Sequence, residues 1–336
     1  MKKALFQETG ANSAVRCGLC RHRCLIPEGK RGICGVRENR GGELYSLVYG
    51  RAVAVAVDPI EKKPLYHFLP GSESFSIATK GCNFGCLHCQ NWHIARPGSE
   101  DIAGRDTRLE PADVVRLAES RKCASISYTY TEPTVFFEYA YDTARLASDK
   151  GLKNVFVTNG YITPEALETI SPYLDAANID LKAFRDKTYR KLTGARLQPV
   201  LDMIDMYHRL GIWIEVTTLV IPGWNDSTEE LGDIAKFIAG VSPDIPWHVS
   251  RFSPAHKLMD APPTPVKTIE DAVEIGREAG LKYVYQGNVF SPAAARTLCP
   301  GCGECLIDRS RSGPFLIRNG RLTCPKCGID VPGVWE

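Results

Sequence analysis

No apolar run in this 336-residue chain approaches the roughly 18 residues that cross a bilayer. The most continuous candidate, Ala52 to Val57, is only six residues long. Met1 to Glu8 lacks the apolar core of a secretory signal. Charge of one sign is lacking too. With 41 basic and 39 acidic residues the formal net charge is +2, so there is no global electrostatic footprint for nucleic acid or an anionic membrane. Either partner would have to be recognised locally. The expectation is a cytoplasmic protein with no membrane partner and no nucleic-acid partner. Its 44% hydrophobic share is that of an ordinary globular chain, and its length suits one barrel-sized domain plus small modules.

Cysteine is abundant. Thirteen cysteines in such a compartment argue for metal rather than disulfides. Four lie near the start (Cys17, Cys20, Cys24, Cys34), three in the middle (Cys82, Cys86, Cys89) and four near the end (Cys299, Cys302, Cys324, Cys327). Cys123 and Cys305 remain. Cys123, at the lip of an expected strand, reads as a small buried thiol.

Between the terminal groups, short apolar runs alternate with amphipathic stretches, the pattern of βα units around a parallel sheet. Strands are expected at Phe75 to Thr79, Ser125 to Thr129, Asn154 to Thr158, Ala176 to Leu181, Ile212 to Val220, Trp247 to Phe252 and Tyr283 to Gln286. The stretch Thr268 to Ala279 puts Ile269, Ala272, Val273 and Ala279 on one helical face, and Gly280 is placed to end it. Six or seven such units are too few for an eight-stranded barrel and suit a partial one of (β/α)6 type. A doubly wound open sheet is the alternative. Arg51 to Val57 is expected to form a bridging strand paired with Glu43 to Val48. The Lys- and Pro-rich segment Asp58 to Pro70 is expected near the rim, where Lys62, Lys63 and His67 could meet an anionic substrate. The expected domains are 1–70, 71–292 and 293–336.

Chemistry in parallel βα folds collects at the carboxyl ends of strands. The first strand runs into Cys82-Asn83-Phe84-Gly85-Cys86-Leu87-His88-Cys89. This C-x3-C-x2-C spacing supplies three thiolates where a closed site takes four, so one coordination position is open. A zinc knuckle or a set of core thiols is the competing reading. Later strands end at Glu132-Pro133, Thr158-Asn159-Gly160 and Asp180-Leu181-Lys182, followed by Glu215, Thr217 and Thr218, then His248, Ser250, Arg251 and Ser253, then Gln286 and Asn288.

The cysteine loop, with Trp92 close behind, resembles that of the radical S-adenosylmethionine (SAM) superfamily. The resemblance implies a 4Fe-4S cluster on Cys82, Cys86 and Cys89 whose open iron chelates SAM, an electron donor such as flavodoxin or ferredoxin, and reductive cleavage to a 5'-deoxyadenosyl radical. Glu132, Asn159, Asp180 and Lys182 resemble the SAM-contacting stations of the pyruvate formate-lyase activating branch. Glu132 is implied to meet the SAM amino group, and Asp180 and Lys182 the ribose and carboxylate. Tyr130-Thr131 stands where that branch has two glycines, which leaves a stiffer backbone less able to approach SAM. Over nearly its full length, through Cys17 to Arg37, Asp58 to Leu65, Arg251 to Pro254 and Tyr283 to Asn288, the chain resembles the radical enzyme of the AmmeMemoRadiSam system. Memo-like and AMMECR-like partners are implied. Activation of a glycyl-radical enzyme is the rival activity, and a non-catalytic metal and nucleic-acid binding protein is the rival class.

The N-terminal spacing C-x2-C-x3-C-x9-C admits an auxiliary iron-sulfur cluster, a zinc ion or free thiols. An iron-sulfur cluster is preferred over zinc. Cys299-Pro300-Gly301-Cys302-Gly303 and Cys324-Pro325-Lys326-Cys327-Gly328 look like the two knuckles of a zinc ribbon, with Cys305 a possible substitute for Cys299. Arg309, Arg311, Arg318 and Arg321 between them read as a solvated hairpin.

Overall fold

The computed structural model describes residues 1–96, 106–291, 294, 296–310 and 317–336. The expected boundary at 292/293 and Arg311 lie outside the described residues. Eight strands form the central sheet: β1 (Ala54–Pro59), β2 (Glu73–Ala78), β3 (Ser125–Tyr128), β4 (Lys153–Thr158), β5 (Ala176–Asp180), β6 (Trp213–Val220), β7 (Trp247–Arg251) and β8 (Val284–Gly287). They lie side by side in chain order. From β2 to β8 all neighbours are parallel, while β1 runs antiparallel to β2. All seven expected parallel strands are present, and helices fill the crossovers: α1 (Pro111–Ser120), α2 (Phe137–Ser148), α3 (Pro164–Ile170), α4 (Asp186–Thr193), α5 (Gln198–Arg209), α6 (Thr228–Val241) and α7 (Val266–Glu278). No helix among the described residues is long and apolar enough to cross a membrane.

The two faces of the sheet are filled differently. Ile126, Tyr128, Phe156, Ile179, Val216 and Trp247 join the large apolar core shared with the helices. On the other face Val155, Ala176 and Trp213 pack against Ile60, Leu65, Phe68 and Leu69 of the β1–β2 connection. Helices on one face and a chain segment on the other exclude the doubly wound arrangement. The connection expected at the rim instead lies as a plug on the face of the sheet opposite the helices.

This plug explains why the bridging strand pairs differently from expectation. Leaving β1, the chain packs across that face and returns as β2, which sets β1 antiparallel beside it from Ala54–Ala78 to Pro59–Glu73. Glu43–Ser46 pairs with Arg37–Arg40 and Lys2–Lys3 instead.

Polar groups on the inner face meet the plug. Glu215 accepts from the backbone amides of His67 (2.7 Å) and Tyr66 (3.0 Å), and from His248 Nε2 (2.6 Å). Asn178 donates to the Pro64 carbonyl. The C-terminal tail adds a second layer, with Leu69 N donating to Val334 O and Val334 N to His67 O. Arg309, expected in solvent, is buried against Tyr66, its guanidinium 4.2 Å from the ring centre and donating to the Tyr66 carbonyl. It ties the C-terminal module to the plug. Arg318 and Arg321 are exposed.

Phe68 is fully buried in the plug. Phe68→Ala should lower unfolding free energy by about 3–5 kcal/mol in urea titration, and a loss below about 1 kcal/mol would mean the plug is not packed. His67 adds a pH dependence. Its Nδ1 donates to the Pro332 carbonyl, its Nε2 accepts from Tyr285, and burial pushes its pKa down to about 4. The unfolded chain protonates this residue near pH 6.5, so it binds more protons than the folded one between those values. Stability should fall as pH drops through that window, by up to about 3 kcal/mol. His67→Gln should flatten the slope, and an unchanged slope would assign the acid sensitivity elsewhere.

Candidate functional site

The loop after β2 is held from several sides before its cysteines are placed. Gly81 has φ +98°, and a Cβ there would sit 2.6 Å from Val36 Cγ1 and 2.9 Å from the Cys34 carbonyl, so only glycine fits. Gly85 N donates to Thr193 O and Leu87 N to Leu192 O, pinning the loop to the end of α4. The pinned loop turns Cys82, Cys86 and Cys89 onto a cavity of about 350 Å³. Glu132, Asn159, Asp180 and Lys182, from the ends of three successive strands, line the same cavity. The seven residues singled out in the sequence are thus brought to the walls of one cavity.

Each wall residue is positioned by identifiable bonds. Glu132 Oε1 accepts from Thr134 N, Thr134 Oγ1 and Thr158 Oγ1, whereas Oε2 accepts, among the described residues, only from Asn159 N at 2.8 Å. Burial pushes its carboxyl up despite these donors. Asn159 Nδ2 donates to Asn83 Oδ1 at 2.8 Å while its own Oδ1 accepts from Tyr161 N, so it stitches β4 to the cysteine loop. Lys182 pairs with Asp180 at 2.8 Å. Burial draws its ammonium down, but Asp180 and Cys86 outweigh that and hold it above its ordinary range.

Tyr130 also lines this cavity, a role the sequence signalled only as a missing glycine. The glycine conformation has not been abandoned. Tyr130 itself adopts φ +63°, an unfavourable state for a bulky residue. Its carbonyl accepts from Asn91 Nδ2, its hydroxyl donates to Asp58, and Lys63 Nζ lies 4.7 Å from its ring centre. Tyr130 thus takes up the backbone state a glycine would adopt, held there by side-chain contacts. Lys63 is buried and paired with Asp58 at 2.7 Å, so it cannot serve a substrate. Of the three plug residues expected near a substrate, only Lys62 lines the cavity.

Strand alternation removes other expected rim groups. Thr217, Ser250 and Asn288 face the cavity. Glu215 lies two residues below Thr217, one pleat deeper, where it and His248 are occupied by the plug. Thr218 points the other way and accepts from Trp247 Nε1.

The three thiols sit in a setting that disfavours free thiolates. Burial pushes all three up, Cys86 to about 11 even with Lys182 drawing it down. His88, between them, has a buried Nδ1 without a partner among the described residues. Three thiols, one unpartnered polar atom and an open cleft fit a soft metal centre with a vacant coordination position.

The terminal cysteines form two further groups. Cys17, Cys20, Cys24 and Cys34 line one enclosed chamber. Cys299, Cys302, Cys324 and Cys327 have sulfur atoms all within 4.8 Å of one another, a group that could bind a metal. Their knuckles are matched. Gly303 N donates to Cys299 O, Gly328 N to Cys324 O, and both glycines have positive φ. Cys305 is exposed and outside the group.

Comparison with known proteins adds to this geometry. The radical SAM superfamily pattern matches residues 76–238. An uncharacterized protein of Methanocaldococcus jannaschii is 46% identical, covering 98% of this chain and 99% of its own. A putative glycyl-radical enzyme activating enzyme from the same organism is 27% identical over 63% of this chain and 79% of its own. Among solved structures, a radical SAM methyltransferase from Sphaerobacter thermophilus shares the fold with a TM-score of 0.51 at 18% identity, 71% of each chain being covered.

Replacing Cys302 and Cys324 together by Ser should remove a bound metal from the C-terminal group, read by elemental analysis, without lowering iron. Retention of the full metal complement would show those thiols to be free.

Proposed function

The chain belongs to the radical SAM superfamily, and from that premise we propose that it cleaves SAM reductively at a 4Fe-4S cluster on Cys82, Cys86 and Cys89 and takes a hydrogen atom from a substrate. When bound, the cluster supplies the electron that breaks a carbon-sulfur bond of SAM. The observation that carries the reading is the opening of all three thiols onto a cavity walled by Glu132, Asn159, Asp180 and Lys182.

In this reading each wall residue has a task. Lys182 offers a held ammonium to the SAM carboxylate, and Glu132 keeps Oε2 available for the amino group. Asp180, tethered by Lys182, can accept from ribose hydroxyls. Asn159 positions the cysteine loop through Asn83. The plug reaches the cavity through Lys62 and through Asp58, which accepts from Tyr130.

We place the enzyme in the cytoplasm and in the AmmeMemoRadiSam system, with Memo-like and AMMECR-like companions and a flavodoxin or ferredoxin as donor. The Cys17 to Arg37 and Asp58 to Leu65 motifs support that assignment. The C-terminal group is read as a structural zinc site, and residues 1–70, 71–292 and 293–336 as its modules. A second reading, activation of a glycyl-radical enzyme, is favoured by the likeness to the putative activating enzyme. There the hydrogen would come from a partner's glycine.

Reconstituted anaerobically, reduced with dithionite and given SAM, the protein should form 5'-deoxyadenosine, measured by mass spectrometry, whereas Cys82→Ala/Cys86→Ala/Cys89→Ala should form none. Equal amounts from both would overturn the reading. Lys182→Met should weaken SAM binding about 10- to 100-fold with iron content unchanged, as expected for losing one hydrogen bond to a charged group.

A further inference from the structure

We propose that the N-terminal chamber of Cys17, Cys20, Cys24 and Cys34 holds a second 4Fe-4S cluster, adjacent to the one at Cys82 and serving as its electron relay. The adjacency half of this inference rests on the cluster assignment above; the occupancy of the chamber does not.

Sulfur spacing separates the two four-cysteine groups. Tetrahedral zinc with Zn–S bonds of about 2.3 Å brings its sulfurs to about 3.8 Å from one another. The C-terminal thiols already approach that arrangement, with Cys299 and Cys327 at 3.4 Å and Cys302 and Cys324 at 3.5 Å. Among the described residues they form the group whose ligand atoms all lie within 4.8 Å, and the N-terminal four do not join it. Yet those four line one enclosed chamber. Thiols spread around a shared space suit a multi-iron body rather than a single ion.

Two buried donors in the same walls support this. Arg37 and Asn83 are 2% and 1% exposed and both line the chamber. Arg37 is locked in place by two 2.9 Å bonds from Nη1 to Glu138 and one from Nη2 to the Leu5 carbonyl. Its Nε nevertheless has no acceptor among the described residues, and neither has Asn83 Nδ2. A buried donor left without an acceptor is costly. The sulfides and thiolates of an anionic cluster would accept from both, and such bonds tune cluster potential.

The chamber also touches the central cysteine loop on both sides of Cys82. His22, between Cys20 and Cys24, donates Nε2–H to the Asn83 carbonyl at 2.9 Å. Gly81 packs on the backbone of Cys34. The relay is a pure electron transfer. A low-potential one-electron carrier reduces the N-terminal cluster from 2+ to 1+, and the same electron passes on, returning it to 2+ and reducing the cluster at Cys82 from 2+ to 1+. No bond or proton moves.

The test starts from Cys82→Ala/Cys86→Ala/Cys89→Ala, which leaves the chamber untouched. After anaerobic reconstitution this variant should retain about four iron and four sulfide per chain and, once reduced, show an EPR signal unaffected by SAM. The wild type should hold about twice that iron, and its reduced spectrum should be dipolar-broadened relative to the sum of the triple variant and Cys17→Ser/Cys20→Ser. An iron-free triple variant, or one with zinc in the chamber, overturns the cluster. An unbroadened sum in a protein with both clusters overturns the relay. If the triple variant keeps its cluster while the wild type makes no 5'-deoxyadenosine, the proposed reaction fails and the chamber assignment stands.

Discussion

The face of the sheet opposite the helices must be covered, and the cover here is fixed at the carboxylate of Glu215. Burial pushes this carboxyl up, but His248, His67 and the Tyr66 amide outweigh it and hold it below the usual range. A buried charge is tolerated only when its acceptors are nearly all used, and Glu215 binds two successive amides of one chain segment. That demand places Tyr66 and His67 against this face of the sheet. Phe68 and Leu65 then follow into the apolar pocket of Val155, Ala176 and Trp213. From His67 a polar chain runs through Tyr285 and Thr297 to Arg309, so the C-terminal module is fastened to the same plug.

The upper end of the plug shapes the reactive cavity. Asp58 closes β1 and accepts from Lys63, Ser76 and Tyr130. Burial pushes its carboxyl up, and Lys63, Tyr130 and Lys62 hold it well below the usual range nonetheless. Tyr130 is thereby secured by its hydroxyl as well as by its carbonyl, and the strain of φ +63° is sustained by interactions on both ends of the residue. A glycine would meet the backbone requirement without strain but would leave Asp58 with one donor fewer. The rim and the plug are one construction.

How far the sequence was legible follows from the range of each interaction. The parallel strands were legible because apolar runs and polar strand ends are local patterns, and the cysteine loop because its ligands lie within eight residues. Glu132, Asn159, Asp180 and Lys182 could be placed together because each ends a strand in a fold with a known reactive edge. The plug could not. Nothing local distinguishes Lys62, which reaches the cavity, from Lys63, which is buried beside it against Asp58. Likewise Glu215 and Thr217 share a face, and only the depth of the plug decides which of them meets a ligand. Arg309 looked like its exposed neighbours Arg318 and Arg321 because its partner, Tyr66, is 243 residues away.

The walls of the cavity constrain the chemistry. Lys62 and Tyr130, both bonded to Asp58, line it, and the N-terminal module packs close to its Asn159 station, with Cys20 bridged to Ile162 and Thr163 N donating to Leu19 O. Lys62, whose side chain is 69% exposed, and Asn288 line it as well. On the proposed reading, a group that yields its hydrogen must reach into the part of this space of about 350 Å³ that SAM leaves free. That geometry suits a slender extension, a side chain or the end of a small molecule, and disfavours any bulky substrate that must be enclosed whole.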